Sequence, residues 1–478
     1  MGDIGRRSFL GYSLAGGAVA LAAPADTAKT EAPPPPVTRL LARYAVGGQF
    51  ADIPAAVRRE AARTLLNWVG CAIGGSQNET VPIAISALAP FFGPAQATIL
   101  GRKERADILH AALINGISSH VLDFDDTHMA TAIHPAASVV PAILALSEHI
   151  PVSGRDFLNA MVLGIEVECR LGAAVHPAHY DIGWHITGTT GVFGAAAAAG
   201  RLLKLSEQQM VWALGLAAAQ PVGLREMFGS MTKSFHPGRA AQNGLTAALL
   251  ASKNYTSSGQ GIEAKSGWAN VVSTQHDYKD IQTKLGKSYL LSENSYKPFA
   301  SGLVVHPVID GCIQLRNEYK LKADQIAKID LRVHRLVLEL TDKKSPQTGL
   351  ESKFSVYHAA AVGITEGAGG EAQFSDRAAR APETVALRGK VTATLDASLK
   401  GDQARVVILL QDGRRLEKFV EHALGSVRNP MSDRALETKF LGLADGVLPV
   451  ARAKQVMEHC WNAANLKEAG AIAKTAAG

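Results

Sequence analysis

The sequence predicts a mainly α protein, a large all-helical domain joined to a smaller α+β domain. Three observations lead there. Apolar residues recur at three- and four-residue spacing from Val37 to about Ser292. After Lys297 the period switches to two, in "AKIDLRVHRLVLEL", "GKVTATLDASL" and "ARVVILLQDGRRLEKFVEHAL". From about Asp433 the helical period returns and holds to the end, so this last segment is expected to rejoin the first domain.

In chain order, "ADIPAAVRREAARTLLNWVGCAIGG" is an amphipathic helix stopped by a glycine pair. "ADILHAALINGISSHVLDF" and "SGRDFLNAMVLGIEVECRLGAAV" follow the same pattern. "TGTTGVFGAAAAAGRLLKL" is so rich in Ala and Gly that its helix must touch neighbours on several sides. In the second domain, Asp412-Gly413 between two strand patterns marks a hairpin, and "SKFSVYHAAAVGITEG" is a helix among strands. Boundaries are expected at 1–36 (signal and proline-rich spacer), 37–294 (first helical part), 295–430 (α+β domain) and 431–478 (second helical part).

Composition narrows the function. With 478 residues, 47% hydrophobic and 19% charged, the chain is globular and long enough for more than one core. Net charge is +6 without Lys/Arg runs or basic–aromatic interleaving, which argues against nucleic acid as a partner and suits small anions. The four cysteines (Cys71, Cys169, Cys312, Cys460) are far apart and read as small buried hydrophobes. The N-terminal "GRRSFLGYSLAGGAVALAAPADTA" pairs Arg6-Arg7 with Phe9-Leu10, an apolar run too short for a permanent membrane span, and small residues suited to cleavage. That is the pattern of a twin-arginine export signal, so a folded periplasmic protein is expected.

The chemistry concentrates in "LDFDDTHMATAIHP", Leu122 to Pro135. Histidine precedes proline four times, at 134, 176, 236 and 306, where fewer than one such pair is expected from 15 His and 21 Pro. At His134, His236 and His306 a helical pattern follows, so each histidine is expected just outside a helix N-terminus, beside free N–H groups that favour anions. Lys233 and Arg239 flank His236, Lys297 sits at the domain join, and His185 precedes a helix in "DIGWHITGTTG". His236 and Arg239 are therefore candidate substrate-binding residues. Asp and His also suit a hard metal, but no His-x-x-x-His spacing accompanies them, so no metal is expected.

These residues also carry a resemblance. "LDFDDTHMATAIHPAASVVPA", "GWHITGTTGVFGAAAAA", "MTKSFHPGRAAQNGLTAALLA", "YKPFASGLVVHPVIDG" and "SKFSVYHAAA" stand in the order and spacing of the MmgE/PrpD family, over roughly Val37 to the C-terminus. The resemblance implies a helical domain built from N- and C-terminal segments, an α+β lid, a homodimer, and a site between the domains that needs no cofactor. It implies a pocket of Asp123, Thr127, His134, His185, Lys233, Lys297 and Tyr357. Where decarboxylases of the family have a pocket histidine after the lid lysine, this chain has Ser301-Gly302, and its loop from Thr127 to His134 is a residue longer.

The expected function is a cofactor-independent lyase, a dehydratase, on a small di- or tricarboxylate such as 2-methylcitrate. An epimerase of a dicarboxylate, a cis-aconitate decarboxylase and a periplasmic anion-binding protein are the alternatives. His134 and His185 are the expected acid/base pair with Asp123 as their partner. Lys233 and Lys297 clamp carboxylates, and Thr127 and Tyr357 donate hydrogen bonds. The homodimer is further expected from helices such as "TGTTGVFGAAAAAG", whose apolar surface exceeds what one chain can cover. Replacing Arg6 and Arg7 by lysine is expected to trap full-length protein in the cytoplasm, read by fractionation; unchanged export would refute the twin-arginine signal.

Overall fold

A computed structural model describes residues 35–478; the expected signal peptide and most of the spacer lie outside the described residues. Two hydrophobic cores organise the chain. The first draws on residues from Val37 to Tyr296 and again from Met431 to Ala476, so the C-terminal segment does return to the first helical part. The second is centred on residues 299–410 and also takes in Cys71, Val121, Leu122 and Phe124. All four cysteines are free and buried, as small hydrophobes.

Six helices set the frame of the first core: α1 (Ala55–Gly75), α2 (Ile108–Val121), α3 (Pro135–His149), α4 (Gly154–Val175), α5 (Ile186–Leu202) and α6 (Thr232–Ser252). Small residues let their backbones approach. A Cβ on Gly116 of α2 would stand 2.5 Å from the Gly238 Cα of α6, and one on Gly244 would stand 2.5 Å from the Ala195 Cβ of α5. Helix α5 is buried at every residue but Arg201. Its apolar surface is thus covered by its own chain, which removes the argument for a homodimer drawn from "TGTTGVFGAAAAAG".

Around the second core, β1 (Thr127–His128) and β2 (Asn294–Ser295) form a short antiparallel link, Thr127 opposite Ser295. The main sheet has four strands: β3 (Ile326–Val333), β4 (Val391–Leu395), β5 (Ala404–Leu410) and β6 (Arg415–Val420), in the order β4-β3-β5-β6. Strand β3 runs parallel to β4 and antiparallel to β5, and β5 and β6 form the expected hairpin, with Gly413 at φ 86°. Alternate residues Ala404, Val406, Ile408 and Leu410 are buried, matching the period of two. Helices α7 (His306–Tyr319) and α8 (Val356–Thr365) belong to the same core. Helix α9 (Asp433–Ala444) then crosses back to α1, where a Cβ on Gly70 would meet Phe440 at 3.0 Å.

Two local expectations change. "AKIDLRVHRLVLEL" is not one strand: it stops at Val333, and His334 caps a helix, Arg335–Thr341, by accepting from the Leu336 N–H at 3.3 Å. His236 does not stand outside a helix. Helix α6 starts at Thr232 and carries Pro237 inside it. So near the N-terminus, Pro237 removes a single bond, the one its absent N–H would give to the Lys233 carbonyl. No helix of the described residues is long and apolar enough to cross a membrane.

Candidate active site

A cavity of about 290 Å³ opens between the two cores. Residues 123–233 supply Asp123, Thr127, His134, His185 and Lys233; residues 303–354 supply Leu303, Val304, His334, Leu336 and Phe354; Lys297 lies between. Helix α2 ends at Val121, and the chain then turns sharply, with Asp123 in the left-handed region at φ 49°. Successive carboxylates of this turn therefore point to different places, and each has a separate task.

Asp123 holds the lysines. Its Oδ1 accepts from Lys233 Nζ at 2.9 Å and Lys297 Nζ at 2.6 Å, and Lys297 also donates to its carbonyl at 3.0 Å. Burial pushes the Asp123 carboxyl up, but Lys233 and Lys297 outweigh it and hold the group well below the usual carboxylate range. Burial also pushes Lys233 below the ordinary lysine value, against the pull of Asp123. Lys297 is positioned by β1–β2 pairing, which sets Ser295 opposite Thr127 two residues before it.

Asp125 serves the imidazoles. It is fully buried, with Oδ2 2.8 Å from His120 Nδ1 and Oδ1 3.2 Å from His134 Nδ1. The His134 contact lies off the hydrogen-bonding line, so there Asp125 acts chiefly through its charge. Burial opposes ionisation of Asp125, but the two imidazoles hold it well below the carboxylate range. An ionised carboxylate only accepts, so His120 carries its proton on Nδ1; at His134 the nearby Asp125 charge favours the proton on the same atom, where Thr127 Oγ1 stands at 3.4 Å, and leaves Nε2 bare. Burial pushes the His134 pKa below the usual histidine value, with Asp125 pulling the other way. His134 is thus a neutral base at neutral pH. Its ring is set by position: it is the N-cap residue of α3, and its N–H donates to Thr187 Oγ1 at 3.2 Å.

Asp126 is structural. Its Oδ2 accepts from the Ala136 N–H at 3.2 Å and from Asn294 Nδ2 at 2.8 Å, capping α3 and fixing β2. Burial, with the charge of Asp125 adding to it, pushes its carboxyl up to about 7. The first free N–H groups of α3 are consumed this way, since the Ala137 N–H also goes to the His134 carbonyl. The helix start is therefore not an anion site, contrary to expectation.

His185 caps α5 from outside and faces His134 across the cavity, ring centroids 6.5 Å apart. Burial, then the Lys233 charge, then His236 keep its pKa well below the histidine range. His236 lies behind it, Nδ1 to Nδ1 at 2.9 Å, and does not line the cavity. Its assignment to substrate binding is replaced by support of His185. Arg239 is exposed on α6 and donates to Gln242, away from the cavity, so its substrate role falls. Tyr357 is outside the lining too: its hydroxyl is bound to Asp342. Asp123, expected as the histidines' partner, is the partner of the lysines; Asp125 takes the histidines.

Sequence reasoning missed four residues, His120, Asp125 and Lys353 buried and Lys439 half-buried. His120 lay inside an otherwise ordinary helical pattern, and Asp125 was undistinguished from its neighbours. Lys439 of α9 donates to Asn67 Oδ1 (2.8 Å), the Phe124 carbonyl (2.6 Å) and the Lys297 carbonyl (2.9 Å), tying the C-terminal segment to the site. Lys353 holds the Leu122 and Ala300 carbonyls at 2.8 and 2.9 Å. Among the described residues, His120, Asp125 and His134 are close enough together to hold a metal ion, all three ligand atoms lying within 4.8 Å.

Residues 39–281 match the MmgE/PrpD N-terminal domain and residues 299–463 the MmgE/PrpD C-terminal domain. The chain belongs to the MmgE/PrpD family. A cis-aconitate decarboxylase of Aspergillus terreus is 26% identical over 449 residues, covering 88% of this chain and 91% of that protein. The human cis-aconitate decarboxylase is 26% identical over 430 residues, 86% and 88% covered. A 2-methylcitrate dehydratase of Cupriavidus necator is 24% identical over 398 residues, 76% and 81% covered.

The geometry gives Asp125, which is not part of the cavity lining, a role that none of the lining carboxylates shares. Asp125→Asn, measured by steady-state kinetics, is expected to lower kcat by about 10²–10⁴-fold, because an amide no longer fixes the tautomer. The acidic limb of kcat/KM is expected below pH ~6.5, the ordinary histidine value, since a depressed pKa keeps His134 neutral further into acid. In the variant that limb moves lower still, because the group that raised the His134 pKa is gone. An unchanged kcat and limb would remove Asp125 from the account.

Proposed function

We propose that the chain is a lyase that eliminates water from a small hydroxylated di- or tricarboxylate, without a metal or organic cofactor. The observation that carries this reading is a buried neutral base, His134, and a buried pair of lysines that share one carboxylate, all lining one cavity. Removing a proton alpha to a carboxylate builds negative charge next to an existing one, so fixed cations must face it. Lys233 and Lys297 are placed for that, and Asp123 sets their positions.

The step balances as follows. His134 Nε2 takes the alpha proton, the carbon–oxygen bond on the neighbouring carbon breaks, and the departing hydroxyl takes a proton and leaves as water. Lys233 is the better donor of that proton: it is a cation whose pKa burial lowers, whereas His185 is neutral and holds little acidity. His185 instead orients the substrate by hydrogen bonding. A passive anion receptor gains nothing from Asp123, because a carboxylate in the pocket weakens anion binding.

The relatives include decarboxylases and a dehydratase. Dehydration is favoured here by Ser301-Gly302, where the decarboxylase pattern has a pocket histidine; Gly302 lines the cavity with no side chain. Purified protein is to be incubated in D2O with citrate, 2-methylcitrate, cis-aconitate and itaconate and followed by NMR. Loss of water from a hydroxy acid is expected, with kcat reduced about 10²–10⁴-fold in His134→Ala and in Lys233→Ala. Release of CO₂ would make it a decarboxylase, exchange without net conversion an epimerase, and binding without either would end the enzyme reading.

A further inference from the structure

Asp123, Lys233 and Lys297 stand together in the cavity. Elsewhere its lining includes Asp181, Arg335 and Asp402 among the apolar Met129, Leu303, Val304, Leu336, Leu340 and Phe354. Three cationic side chains line it, and each already faces a carboxylate: Lys233 and Lys297 face Asp123, and Arg335 faces Glu339 at 2.6 Å and Asp181 at 3.7 Å. Beyond the lysines, then, the lining offers apolar contact and no unpaired cation among the described residues. A carboxylate held by Lys233 and Lys297 leaves that part of the cavity unfilled.

The apolar part also continues outward. A second cavity of about 530 Å³ shares Met129, Leu303 and Asp402 with the first and runs on to Leu424 and Val427. Those two side chains are 39% and 46% exposed, so both offer apolar surface to an occupant of the groove. Met129, Leu303 and Asp402 line both cavities, so the outer groove, which also carries Glu293, His306 and Arg428, adjoins the reaction centre.

We infer that the substrate carries an apolar alkyl substituent longer than a methyl group, seated along Met129 and Leu303 and ending against Leu424 and Val427. This rests on the lyase reading for the position of the acid end. Each methylene moved from water onto such a wall strengthens binding by about fourfold.

The test uses the full chain and two series with methyl, propyl and hexyl groups. Citrates bearing the alkyl group at carbon 2 are assayed for turnover, and the correspondingly alkylated tricarballylates, which have no hydroxyl to lose, are titrated by calorimetry. Both kcat/KM and affinity are expected to climb by about tenfold or more from methyl to hexyl. Val427→Asp is expected to cut the hexyl-to-methyl ratio, compared within the variant. A flat or falling series, an unchanged ratio in Val427→Asp, or no binding by any member overturns the inference. Affinity that climbs while none of the citrates turns over keeps the alkyl subsite and overturns the lyase reading.

Discussion

The site depends on one buried ionic arrangement, Asp123 between Lys233 and Lys297. Its three members come from the turn after α2, from α6, and from the segment leaving β2. Taking three charges out of water is costly, and their attraction repays it only when all three are in register. Removing one member of a buried pair costs about 3–5 kcal/mol, because the partner is left charged and unsolvated. The arrangement thus locks three distant stretches into one geometry. It also holds Asp123 in the left-handed region, where a non-glycine residue costs on the order of 1–3 kcal/mol and persists only if its surroundings fix it. The lysine pair that fixes it is the pair the chemistry needs.

From that turn the rest of the site follows. The left-handed residue turns the chain so that Asp125 faces His120 and His134 while Asp126 faces the start of α3. Lys353 and Lys439 hold the carbonyls of the same turn from two sides, Leu122 and Phe124, one lysine from the second core and one from the returning C-terminal helix. The C-terminal segment therefore supports the site although it adds no side chain to the cavity lining. The two-part helical architecture has a chemical consequence as well as a packing one.

Much of this was legible in the sequence where periodicity carries it. Helices, the Asp412-Gly413 hairpin and the switch from period 3.6 to period two all reflect which faces meet a core. The cavity-lining Asp123, Thr127, His134, His185, Lys233 and Lys297 were identifiable because they stand in the motifs that carry the MmgE/PrpD resemblance, which implies a pocket of these residues. What was not legible was direction. Asp123, Asp125 and Asp126 are chemically alike in sequence, and only the backbone at Asp123 decides which faces a lysine, an imidazole or a helix start. His120 was hidden because a buried histidine and a surface one look the same in a helical pattern. His236 was misplaced because proline was read as a helix starter, when helix α6 tolerates it near its N-terminus. Tyr357 and Arg239 failed for the same reason: residue type and motif fix neither where a side chain points nor what it bonds.

The central claim is that burial keeps His134 neutral while Asp125 favours its proton on Nδ1, so that a bare Nε2 meets the substrate. The most direct measurement is nitrogen-15 NMR of protein labelled in the histidine rings, at neutral pH, with the His134 signals assigned by their loss in His134→Gln. The account requires a neutral ring protonated at Nδ1 and unprotonated at Nε2. A ring protonated at Nε2 alone, or a doubly protonated imidazolium at that pH, would contradict it.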